Sequence, residues 1–255
     1  MAGLHGDETV GTYTVVELAR YFYDNYNEFS QILNHRMIII LPFVNPVGYY
    51  NKAREEFHGP NASFDANRDF PYDKESCFNT AASRFVDQIF RSHLIVSAFT
   101  FHGGETSLSY PWGNFPHGKR ESPDYKAFSE VAQFLQKRVG ENKAHPDWAV
   151  KPYKTGDMAS VKYPVKGGFE DWAYGGSWDN KNMKKCNPSQ TSPMYSLREK
   201  DYDKYALRSF VYSVNTSDVK SPPIKTLGTV NDVANPGDTD GFVSRNLRMS
   251  LDFIK

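Results

Sequence analysis

The sequence predicts an α/β layered domain built on a mainly parallel or mixed sheet. Continuous apolar runs of strand length alternate with segments of helical apolar spacing, and 255 residues suffice for one sizeable core. A single domain, residues 1–255, is therefore expected.

The first helix is predicted over 7–26, where Val10, Tyr13, Val16 (or Val15), Ala19, Phe22 and Tyr23 recur near helical spacing behind an acidic turn, Asp7 and Glu8. Residues 36–44 (RMIIILPFV) form a continuous apolar run ending at Asn45-Pro46, as suits a strand buried on both faces. Residues 47–72 are rich in Asn, Gly, Pro and charge and are expected to form a long functional loop. A helix follows over 79–91, then a second buried strand over 94–101 that ends at His102-Gly103-Gly104. An amphipathic helix spans 123–139, loops fill 146–196, a strand covers 207–214, and a closing helix runs over 240–254.

Charge is balanced, 30 basic against 30 acidic residues, so nothing global points to nucleic acid or a membrane surface. No apolar run reaches transmembrane length, so no membrane insertion is expected. Two cysteines, Cys77 and Cys186, can make at most one disulfide, in an oxidising compartment.

Two clusters carry chemistry. In His5-Gly6-Asp7-Glu8 a histidine and a carboxylate three residues apart, at a strand-to-helix junction, can reach one metal ion. A catalytic zinc needs three protein ligands and an open position. His102 is the best third candidate, because it directly follows a buried strand and sites in open α/β sheets form at the carboxyl ends of strands. His35, His58, His93, His117 and His145 lie in segments expected to be solvated surface. In the second cluster, Asp65-Ala66-Asn67-Arg68-Asp69-Phe70-Pro71, the Asn-Arg pair offers a fork of donors that matches a carboxylate. Arg54 adds a further cation in the same loop.

The pieces GLHGDE, NPVGYY, AREE, DANRDFP, FHGGETSLSYPWG and YPVKGGFEDW occur in that order between residues 3 and 172. In content and order they resemble the zinc metallocarboxypeptidases of the carboxypeptidase A, B and N/E superfamily, peptidase family M14. The resemblance implies a three-layer domain with a mixed, mainly parallel sheet, here lacking its first strands and incomplete at the N-terminus. It implies one zinc ion held by His5, Glu8 and His102, with Arg54 polarising the scissile carbonyl. Asn67 and Arg68 would bind the terminal carboxylate of a peptide or protein substrate, and Tyr163 would close over it. Glu170 would sit at the base of the pocket for the terminal side chain, which implies a preference for C-terminal Lys or Arg. The family's habit points to secretion or a lysosome-like compartment.

One departure bears on activity. The family's general base is a glutamate on a late strand, and the matching position here is Asn215, with no Glu anywhere from 212 to 218. An amide cannot take and return the proton, and losing a general base costs typically about 10²- to 10⁴-fold in rate. Restoring the carboxylate with Asn215→Glu is expected to raise turnover. Two other readings follow: a catalytically inactive zinc- or peptide-binding relative, favoured by Asn215, and an N-acyl amino acid deacylase of the aspartoacylase type. Asn61-Ala62-Ser63 and Asn215-Thr216-Ser217 match the glycosylation pattern.

Overall fold

A four-stranded sheet positions everything that follows. The computed structural model describes residues 1–59, 61–115, 121–140, 152–179, 181–184, 209–234 and 240–255. The strands β3 (Ser97–His102), β4 (Glu105–Tyr110), β5 (Lys154–Asp157) and β6 (Phe210–Ser217) lie in the order β3-β6-β4-β5. β6 runs parallel to β3 and antiparallel to β4, and β5 is parallel to β4, so two of the three pairings are parallel. A separate two-stranded ribbon pairs β1 (Glu56–Phe57) with β2 (Ser63–Phe64).

Helices cover both faces of this sheet, as a strand's two-residue alternation requires. On β3, Phe99 stacks on Phe253 of α8 (Phe242–Ile254), and Phe101 lies where a Cβ on Gly11 of α1 (Thr9–Asp24) would fall 2.3 Å away. His102, on the opposite face of β3, points at α7 (Phe169–Gly175). α7 is tied to α4 (Ala81–Ser92) through Phe90, whose ring centroid lies 5.4 Å from those of Phe169 and Trp172. α5 (Tyr125–Val139) packs Phe128 against Phe210 and Tyr212 of β6. α1 buries Val10, Val15, Leu18 and Phe22 at helical spacing. Leu18 and Phe22 join Phe29 of α2 (Tyr26–His35) and Leu247 and Leu251 of α8 in a satellite core.

Three expectations about elements need correction. Residues 36–44 form no strand and are not doubly buried: Met37 is 75% and Phe43 43% exposed. Their described backbone neighbour is the segment around Ala2, which donates to Leu41 O (2.8 Å) and accepts from Val44 N (3.2 Å). A strand is buried on both faces only where elements cover both, and here one side faces solvent among the described residues. Residues 47–72 are not one open loop. They contain α3 (Pro46–Asn51), the β1–β2 ribbon and a 3₁₀ turn at Ala66–Arg68, because Asn45 caps α3 through Gly48 N (2.8 Å) and Asp65 caps the turn through Asn67 N (2.9 Å). The late strand sits further along, at Phe210–Ser217, since Asn215, Thr216 and Ser217 are polar yet buried; residues 207 and 208 lie outside the described residues.

A fourth expectation also needs correction: residues 146–196 are not all loop, since they hold β5, α6 (Met158–Val161) and α7, and β4 falls outside every element expected from the sequence. Glu105-Thr-Ser-Leu-Ser-Tyr110 is mostly polar, and burial of Ser107 and Ser109 comes from its central place beside β6 rather than from apolarity. Cys77 is disulfide-bonded, and Cys186 lies outside the described residues. His117 and His145 also lie outside them.

Candidate functional site

Two chain segments bring three ligand-type side chains to one point. His5 and Glu8 flank the turn that starts α1, and His102 ends β3 beside Asn215 of β6. The turn at Gly6 lies against α3 so closely that a Cβ there would fall 2.0 Å from the Gly48 carbonyl carbon. Gly6 is therefore required by the backbone of α3, which presses the His5–Glu8 turn into place, whereas Gly48 is required by Asn45, whose Nδ2 lies 2.4 Å from where a Cβ would fall.

Glu8 Oε2 lies 3.0 Å from His5 Nδ1 and 3.0 Å from His102 Nδ1, and the two Nδ1 atoms are 3.2 Å apart. Ligand atoms of a tetrahedral zinc with bonds of about 2.0–2.1 Å sit roughly 3.3 Å apart, so this donor set fits. The far sides of both rings are held too. His5 Nε2 meets Asp65 Oδ1 at 2.9 Å, and His102 Nε2 meets Thr100 Oγ1 at 3.0 Å. A proton on His5 Nε2 directed at Asp65 leaves Nδ1 bare for a metal, the usual outer-shell arrangement. All three residues are buried. Burial alone would push the Glu8 carboxyl up and the His5 imidazole down. Mutual attraction and hydrogen bonding outweigh it, holding Glu8 well below and His5 above its ordinary value.

Arg54 borders this centre. Its Nε and Nη2 donate to Asp65 Oδ2 (3.0 and 2.8 Å), and Nη1 donates to Glu8 Oε1 (3.3 Å). Burial pushes the Asp65 carboxyl up, but His5, Arg54 and Arg68 drive it far below the carboxylate range. Asp65 thus orients a histidine and an arginine at once. It lies inside a motif singled out from sequence, but nothing in the spacing reveals that double role.

A cavity of about 440 Å³ opens beside the three ligands and is lined by Arg54, Asn67, Arg68, Lys162, Tyr163 and Asn215, among others. Tyr163 is 57% exposed at its rim, and its hydroxyl accepts from Arg68 Nη2 (3.3 Å). Asn67 is buried, its Oδ1 accepting from Phe169 N (2.8 Å) at the start of α7 and its Nδ2 lying 3.4 Å from Glu170 Oε2. Asn215, 7% exposed, lies on the floor and accepts from Lys162 Nζ at 2.6 Å. The glycosylation triplet at Asn215 is therefore inside the fold, whereas Asn61 is exposed.

Glu170 is not at the base of an open pocket. It is 0% exposed and off the cavity wall, its Oε1 lying 3.4 Å from His102 Nε2. Phe169 and Trp172 pack against Phe70, and that contact turns the first turn of α7 so that Glu170 points behind His102. The carboxylate there backs a histidine rather than lining the cavity. Lys162 was missed in the sequence; its neighbour Tyr163 was the available signal.

Comparison with known proteins adds the family. The model for the family described as zinc carboxypeptidase matches residues 1–206. Among curated relatives, the chain is 25% identical over 187 residues to carboxypeptidase SOL1 of Arabidopsis thaliana, covering 68% of this chain and 36% of that protein. It is 24% identical over 196 residues to mouse carboxypeptidase M (68% and 43% covered). It is 33% identical over 159 residues to carboxypeptidase D of Drosophila melanogaster (52% and 11%). The chain thus spans less than half the length of these relatives. In fold it is similar to bovine thrombin-activatable fibrinolysis inhibitor, solved with a tick carboxypeptidase inhibitor: TM-score 0.60, 17% identity, 98% of this chain and 81% of that one covered.

Proposed function

This chain belongs to the zinc carboxypeptidase family, and on that premise we propose that its cavity binds one zinc ion and the free C-terminus of a peptide or protein, with hydrolysis slowed by Asn215. The observation that carries this is the meeting of His5, Glu8 and His102 at the mouth of a cavity that also presents Arg68 and Tyr163. His5, Glu8 and His102 would hold the metal, which supplies Lewis acidity and an acidified water. Arg68, with Asn67 beside it, would grip the terminal carboxylate, and Tyr163 would cover it. Arg54 lies next to the metal ligands, where a guanidinium can steady a developing oxyanion. Asn215 occupies the floor position where a base would take the attacking water's proton. Its amide oxygen already accepts from Lys162, and an amide cannot carry that proton to the leaving amine.

The decisive experiment pairs binding with turnover. Zinc-loaded protein should bind an acetylated tetrapeptide with a free C-terminus and lose that affinity at least about tenfold when the C-terminus is amidated. Hydrolysis should run about 10²- to 10⁴-fold below that of a family enzyme carrying the glutamate. Equal binding of acid and amide would overturn the clamp, and full family-like turnover would overturn the role of Asn215. The non-enzymatic reading is favoured by the same residue and is the limit in which turnover vanishes while binding persists. The disulfide at Cys77 supports a secretory or lysosome-like location, since such bonds persist in oxidising compartments. Purely cytosolic recovery of the tagged chain would count against it.

A further inference from the structure

The cations lining the cavity are unequally satisfied. Arg54 is paired with Asp65 and Glu8, Lys154 with Glu105 (2.7 Å), and Lys220 with Asp7 (2.7 Å). Arg68 and Lys162 differ. Arg68 donates to the backbone oxygen of Asn67 (2.7 Å) and to the Tyr163 hydroxyl, and Lys162 donates to Ser213 Oγ (3.0 Å) and Asn215 Oδ1 (2.6 Å). Among the described residues neither has a carboxylate within 4.0 Å. Glu170 attracts Lys162 through space, but its carboxylate is turned to His102 and Asn67 and is closed off from the cavity. A half-buried ammonium held only by neutral oxygens is left wanting an anion.

We infer that Lys162 determines specificity: the cavity takes a C-terminal residue with two carboxylates, the terminal one on Arg68 and an acidic side chain on Lys162. This rests on the carboxypeptidase-type reading above for the first carboxylate. The second follows from the chemistry of Lys162 in the same cavity. Lys162 immediately precedes Tyr163, whose hydroxyl touches Arg68, so both cations border the same ligand space. Ser213 and Asn215 hold the ammonium in place from the floor of the sheet. An acidic side chain would add a charged hydrogen bond to a donor already positioned, at little cost in ordering. A Lys or Arg side chain would instead meet like charge, which reverses the preference expected from Glu170.

The test uses acetylated tetrapeptides that differ only at the last residue, Glu, Gln or Lys, plus the Glu peptide with an amidated terminus, titrated calorimetrically into zinc-loaded protein at pH 6.5. The Glu peptide should bind about tenfold or more tighter than its Gln isostere, and the Lys peptide weakest. Lys162→Met should bring the affinities for the Glu and Gln peptides within about threefold of each other. Equal binding of the Glu and Gln peptides by the unaltered protein would overturn the inference without needing any variant. If the Glu peptide and its amidated form bind alike, the terminal clamp itself is wrong. If Glu exceeds Gln but persists in Lys162→Met, the selectivity belongs to another residue and Lys162 is not its source.

Discussion

At Asn215 a single amide meets a lysine where the proposed mechanism would need a carboxylate, and the pair decides what repair is possible. Lys162 Nζ lies 2.6 Å from Asn215 Oδ1, so a glutamate placed there would form an ion pair with it. A carboxylate held by an ammonium is a poorer base. Asn215→Glu alone should therefore raise peptide hydrolysis less than about tenfold, whereas Asn215→Glu with Lys162→Met should recover about 10²- to 10⁴-fold. Full recovery from the single substitution would show that Lys162 does not restrain the base. The same lysine sets a pH dependence. Burial pushes its amine down to about 8 from the ordinary 10.5, opposed by Glu170, Glu8 and Glu105 and aided by Arg68. Between those pH values the unfolded chain holds a proton that the native chain has lost, so this group makes stability rise with pH through that window. The Lys162→Met variant should lack that rise and be the more stable protein below pH 8. Parallel denaturation curves from pH 7 to 10.5 for the two proteins would contradict it.

Among the elements, α4 supports the turn that carries Asn67 and Arg68 through its N-terminus. Asp69 Oδ2 accepts from Thr80 N (2.7 Å), Thr80 Oγ1 (3.0 Å) and Ser83 Oγ (2.7 Å), and Oδ1 accepts from Ser76 Oγ and Asn79 Nδ2, both at 2.7 Å. Glu56 meets the backbone of Ala81 and Ala82 at 2.6 and 2.9 Å. Two carboxylates thus satisfy the orphan donors of one helix start and complement its dipole. Because Asp69 follows Asn67 and Arg68 directly, the helix start also fixes the proposed clamp. Asp69→Ala should cost about 2–4 kcal/mol in chemical denaturation and weaken binding of free-acid peptides. An unchanged denaturation midpoint would mean that the five bonds contribute nothing net.

On the scale of the whole molecule, the proposed metal joins two parts far apart in sequence, the turn before α1 and the end of β3. A ligand that binds only the native form stabilises it by mass action, about 2.7 kcal/mol at a hundredfold excess over Kd. Zinc should raise the thermal midpoint of the unaltered protein, and a chelator should reverse the rise. His102→Ala should abolish the zinc response while the metal-free midpoint moves far less. A zinc-induced rise of equal size in His102→Ala would place the ion elsewhere.

Much of the site was legible because its residues sit where local grammar is strong. His5 and Glu8 bracket a helix start and His102 ends a strand, so spacing and strand polarity alone brought three ligands to one region, and α4, α5 and α8 announced themselves by periodicity. The strand β4 escaped because its polar residues are buried by neighbours, not by their own apolarity, and β5 because it is four residues long, polar and buried only at Asp157. The run at 36–44 was apolar enough for a core strand, yet burial depends on what lies alongside, and here one side is open among the described residues. The sequence by itself determined the family and nominated the proposed donor set and Asn215 at the expected base position, since these are matters of which residue stands in which motif. Only the tertiary structure decided that Glu170 is closed off behind His102 while Lys162 reaches the cavity floor. Those directions are set by the packing of α7 on Phe70 and by the alternation of β6, contacts between segments that no local pattern encodes.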